Sequence, residues 1–225
     1  LAGAVAILHA AGAWILGLLV GWHLLDKLLE RYDLDWLTFN ATAIALGILI
    51  VSQFGSAVAP VVVIPAMALA MVWDHVAVNL SDIMGDLVEF SSGSGIPNYI
   101  IIPEGWTVDY EGVTEFMAGN LEDGARPEGL DGIIGLGDFI FPATLTISAA
   151  VALGGADHLP VYGAAVGAVA ATFVLSAASE KREGGVPALP WLNTGAIVGF
   201  LVGVVASGMP MLVALGVKGG AALHV

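Results

Sequence analysis

The chain has 225 residues, 58% of them hydrophobic and only 12% charged, with a mean hydropathy of +0.91 and a formal net charge of −14. Soluble domains carry about a quarter charged residues, so the composition excludes an ordinary soluble domain and points to helices that cross a membrane. Six Lys and Arg against 20 Asp and Glu exclude a nucleic-acid partner, whose phosphates need cations, and the lack of cysteine excludes disulfides, iron–sulfur clusters and thiol nucleophiles.

Taken in order, the chain opens at Leu1 inside an apolar run, without Met or a basic leader, and reads as a piece of a longer chain. Apolar runs predict six spans, at 2–25, 36–54, 55–78, 132–153, 159–179 and 186–215, in one membrane domain over 1–225. They are continuous, not the alternating segments of a β-barrel. The connector after the first run holds Lys27 and Arg31, and the third run carries Pro60 and Pro65. The polar segment at 79–131 is rich in Gly, Ser and acids. Within it, the proline-bounded, β-prone residues 96–103 are predicted to pair with 106–110 as a hairpin. With six spans the connectors alternate sides. Lys27, Arg31, Arg126, Lys181 and Arg182 then share one side, and only Lys218 lies on the other. The positive-inside rule makes the first side, and the 79–131 segment, cytoplasmic. The acidic surface is what a high-salt organism would favour, because screening relieves its self-repulsion.

Two acids lie clearly within apolar runs: Asp74, near the end of the third, and Asp138, near the start of the fourth. A carboxylate there costs ~2.5–3.5 kcal/mol on insertion scales, so each is a functional candidate by default. At ~1.5 Å per residue both sit ~6–9 Å below the cytoplasmic interface, Asp138 about a turn and a half into its span. Two neighbouring carboxyls share a proton, the condition under which one takes a proton from water and the other polarises a peptide carbonyl. No HExxH, Walker loop or GxSxG occurs, and the five histidines lack ligand spacing, so neither a metal nor a cofactor is expected.

Three elements stand in a fixed order: Trp73-Asp74 ending one span, Gly135-Leu136-Gly137-Asp138 opening the next after a long loop, and Pro187-Ala188-Leu189 opening the last. Together they resemble the presenilin/signal peptide peptidase family of intramembrane aspartyl proteases, archaeal homologues most of all, over residues 36–215. The resemblance implies an all-α polytopic membrane fold in which these six spans correspond to the last six of nine. It implies that Asp74 and Asp138 are the catalytic pair. Trp73, Gly135, Leu136, Gly137 and Pro187-Ala188-Leu189 would then line the active site. Trp73 departs from the family's usual Tyr and lacks its hydroxyl. The resemblance also implies that Ile100, Ile101 and Ile102 form a strand for an extended substrate, that the substrates are transmembrane proteins or peptides in lipid, and that the membrane is an archaeal cell membrane. Homo-oligomerisation is left open.

Blander readings stand beside these. Asp74 and Asp138 could be structural acids, or could bind H+ or Na+ in a coupled transporter or channel, although the two halves of the chain do not match as repeats. A catalytically dead scaffold is a third reading. His75 points about 100° away from Asp74 on a helix and reads as packing. Pro142 reads as a kink, Asp157 and His158 as a solvated turn, and Pro187 alone as an ordinary helix start.

Overall fold

The computed structural model describes residues 35–80, 97–117, 126–154, 158–179 and 187–217, together with His23 and Lys27. The run predicted to span at 2–25 lies outside these, apart from His23, as do Lys181, Arg182, Lys218 and Asp157. The helices are α1 (Asp35–Ala57), α2 (Pro60–Leu80), α3 (Tyr110–Met117), α4 (Leu136–Leu153), α5 (Leu159–Ser179), α6 (Leu189–Ser207) and the short α7 (Met211–Ala214). Two strands, β1 (Tyr99–Pro103) and β2 (Leu130–Gly135), form a two-stranded sheet. By length and composition five of these helices can cross a membrane: Asp35–Ala57, Pro60–Ala77, Leu136–Leu153, Leu159–Ala178 and Leu189–Ser207. The protein is an all-α polytopic membrane protein with a small strand pair.

The limits of the helices follow local chemistry. Gly55 to Ala57 continue α1 rather than opening the next span, because the residue before Pro60 avoids the helical region while proline itself suits a helix start. Residues 132–135, expected in the fourth span, are instead strand. The last span stops at Ser207, where Gly208 takes φ 67° and Pro210 follows.

The chain divides into two compact units. In the larger, with described residues 43–80, 97–100, 134–154, 158–179 and 187–217, Val63, Met67, Leu145, Ala149, Ala164, Ala196, Phe200, Val204 and Ala214 form the core. α5 and α6 meet main chain to main chain. A Cβ on Gly163, Gly167 or Gly199 would fall against the carbonyl oxygen of Gly199, Gly195 or Gly163, and one on Gly195 would lie 2.6 Å from the Ala171 Cβ. These are small residues at four-residue spacing on both helices, the pattern that allows close packing where lipid removes the hydrophobic drive. Polar ties add to this. Ser148 Oγ donates to the Val58 carbonyl in the α1–α2 turn. The Val61 N–H, at the start of α2, donates to the Leu215 carbonyl (3.1 Å).

In the smaller unit, with described residues 35–42, 101–117 and 126–133, the Asn40 amide acts as a strand partner for Ile101. Its Nδ2 donates to the Ile101 carbonyl (2.7 Å) and its Oδ1 accepts the Ile101 N–H (2.8 Å). Asp109 Oδ1 caps α3 at the Gly112 N–H (2.9 Å), and the Phe39 and Tyr110 rings pack 5.8 Å apart. Burial pushes the Tyr110 phenol up, the Asp35 charge adds to this, and a hydrogen bond with Thr114 opposes it.

The predicted hairpin partner is corrected. β1 pairs with β2, not with 106–110. The Leu136 N–H bonds the Asn98 carbonyl (2.8 Å) at one end and the Glu104 N–H bonds the Gly129 carbonyl (2.8 Å) at the other, so the pair is antiparallel. Alternation turns the Ile101 backbone groups away from β2, onto Asn40. It likewise turns those of Asp131, Ile133 and Gly135 away from β1.

Candidate active site

Asp74 occupies the last turn of the Pro60–Ala77 span, and Asp138 the first turn of α4. Asp138 therefore sits closer to the helix start than the run-based expectation, because β2 takes the four residues before α4. Gly135, in extended conformation (φ −62°, ψ 135°), is the cap of α4. Asp138 stands three residues on, and its carboxyl reaches back to the Gly135 N–H, the acid half of a capping box. The fit is close: a Cβ on Gly135 would lie 3.3 Å from Asp138 Oδ2. At Gly137 a Cβ would meet no described atom within 4 Å. Leu136 is buried and held by Asn98. Four residues past Asp138, Pro142 has no N–H for the Asp138 carbonyl.

The Asp74 carboxyl receives the backbone N–H of Leu189 and feels the neighbouring His75. Its Oδ2 is buried with no hydrogen-bond partner among the described residues. Asp138, in turn, feels the charge of Asp74. The structure thus brings Asp74, Asp138, Gly135 and Leu189 together, each acid held by one main-chain N–H. The Ala188 carbonyl accepts from the Trp191 and Leu192 N–H groups (3.1 Å each), and Pro190 falls in the first turn of α6, so the helix starts at Leu189, immediately after Pro187-Ala188. Trp73 does not join the pair, the residue being 61% exposed. Ile100, Ile101 and Ile102 lie in β1.

Sequence reasoning missed the amides. Asn40 and Asn193 are buried, Asn193 fully. A lone Asn in an apolar run was the available signal.

An apolar cavity of about 510 Å³ lies alongside α4, lined by α1, Leu136, Phe139, Pro142 and Ala165 among others. A larger cavity of about 790 Å³ in the smaller unit is lined by Asp35, Glu104, Asp109, Glu111 and Glu128. Among the described residues, no three His, Asp or Glu converge as a metal site.

Residues 2–209 match the sequence model of the family described as signal-peptide peptidase, presenilin aspartyl protease. No curated protein and no solved structure matches the chain.

Proposed function

The chain belongs to the signal-peptide peptidase, presenilin aspartyl protease family, and from that membership we propose that it hydrolyses peptide bonds in transmembrane segments, with Asp74 and Asp138 as the catalytic pair. The observation that supports this reading is that the Asp138 carboxyl feels the charge of Asp74, with a main-chain N–H at each acid. One carboxylate takes a proton from water as the water oxygen bonds to the scissile carbonyl carbon. The other carboxyl gives its proton to the carbonyl oxygen. Collapse of the resulting diol breaks the C–N bond, the nitrogen takes a proton, and a carboxylic acid and an amine leave.

A peptide bond within a helix is shielded, so the substrate must be extended at the point of cutting. The sequence assigned the pairing strand to Ile100, Ile101 and Ile102. Because Asn40 already holds the outward groups of Ile101, the reading moves the substrate to the other edge of the sheet. That edge centres on Ile133, because the Asp131 carbonyl already accepts from Arg126 (3.4 Å) and the Gly135 N–H is on the Asp138 carboxyl, and its strand runs directly into Asp138. The apolar cavity beside α4 suits the uncut, membrane-embedded part of such a segment. The long polar segment is assigned to the cytoplasmic side and the membrane to an archaeal, high-salt cell.

The test is cleavage of a transmembrane peptide by the purified chain in detergent. Asp74→Asn and Asp138→Asn should each abolish it while the helical circular dichroism stays unchanged. A peptide isostere carrying a hydroxyl at the scissile position should compete with substrate. Residual cleavage by either variant would overturn the shared-dyad reading. Proton flux in liposomes that needs both acids, without cleavage, would favour the transporter instead.

A further inference from the structure

Asn193 is fully buried in α6 among Leu192, Ala196 and Phe200, all apolar and at most 2% exposed. Its Nδ2 donates to the Met67 carbonyl of α2 at 3.3 Å, and its Oδ1 is buried with no hydrogen-bond partner among the described residues. A half-satisfied amide is a poor stabiliser. An apolar group of the same size would be close to neutral or better, because the stranded acceptor has lost its water and gained no partner. Where a single buried Asn persists in an apolar helix contact, its best-attested use is to fix register.

The placement agrees with that use. Asn193 lies one turn beyond Leu189, on the same face of α6. Met67 lies two turns before Asp74, on the same face of α2. The Asn193–Met67 bond is therefore a second rung on the faces that join Leu189 to Asp74. Next to it, Thr194 Oγ1 contacts Met71 Sδ at 3.6 Å. α5 fits α6 through glycines, which carry no directional side-chain bond, whereas the Asn193 amide is aimed at one carbonyl.

We propose that Asn193 is a positioning residue that sets the axial register of α6 against α2 and so places the Leu189 N–H on the Asp74 carboxyl. It touches neither substrate nor the reacting atoms. The proposal rests on the dyad reading for its effect on cleavage, but its register component stands apart from catalysis.

The chain has no cysteine, so a Met71→Cys, Thr194→Cys pair reports register by cross-linking of the full chain in detergent with a short bifunctional thiol reagent, which spans the reach lost with the methionine. With Asn193 present the pair should cross-link readily. With Asn193→Leu, cross-linking should fall severalfold while the thermal midpoint is kept or raised. In the cysteine-free chain, Asn193→Leu should lower kcat at least tenfold, leave KM within twofold and displace the pH profile of cleavage. Unchanged cross-linking would overturn the proposal whether or not the chain cleaves peptide. So would lost cross-linking with kcat and pH profile intact, or a kcat loss matched by an equal loss of folded protein. Absence of cleavage by the parent chain would count against the protease reading alone, since the cross-linking arm still reads register.

Discussion

Gly135 and Gly137 stand two residues apart and meet different surroundings. A methyl on Gly135 would crowd the Asp138 carboxyl, whereas one on Gly137 would enter open space. Gly135→Ala should therefore lower cleavage severalfold with little change in thermal midpoint, because it moves the acid and leaves the packing alone. Gly137→Ala should stabilise the helix by ~0.5–1 kcal/mol through reduced chain entropy, readable as a higher midpoint in detergent. If Gly137→Ala also loses cleavage, the loss belongs to a substrate that needs that space. Asp74 and Asp138 were legible in the sequence because an acid in an apolar run has few uses. The amides were not. Asn40 bonds a residue 61 positions away and Asn193 one 126 away, and no local pattern announces such a partner.

At the scale of elements, the punctuation was plain where proline or glycine supplied it. Pro60 starts α2, and Gly154, with φ 57° and its N–H on the Ala150 carbonyl, ends α4. The boundary between β2 and α4 was not legible. Gly132 to Gly135 continue the hydrophobicity of α4, and apolar content alone does not separate strand from helix. Tertiary pairing with β1 decides it. Two variants test the packing of the helices. Gly199→Val forces a side chain into the main chain of α5, so it should cost at least ~1–3 kcal/mol and lower the midpoint. Ser148→Ala strands the Val58 carbonyl in the α1–α2 turn and should cost ~1 kcal/mol. A denaturation series in one detergent ranks the two.

For the whole molecule, part of the excess negative charge gathers around one cavity. Asp35, Glu104, Asp109, Glu111 and Glu128 line one cavity, and Arg126 is the only Lys or Arg between residues 79 and 131. Such a group repels itself, and salt screens that repulsion over a length that shrinks from about 10 Å at 0.1 M to 3 Å at 1 M. The thermal midpoint should therefore rise with sodium chloride from 0.1 to 1 M, and the rise should shrink when Glu104 and Glu128 are both changed to Gln. A midpoint indifferent to salt would show that the acids are too well hydrated to matter.

The glycine contact between α5 and α6 also dictates which part of the bundle yields when a substrate enters. Helices whose main chains already touch move as one slab, because parting them forfeits dispersion along their shared length. α2 meets α6 through the Asn193 side chain on the Met67 carbonyl and carries Pro65 in its interior, where a main-chain bond is missing. Any opening for a peptide between α2 and α6 must then break the Asn193–Met67 bond. Stapling α5 to α6 should leave turnover untouched, and stapling α2 to α6 should halt it.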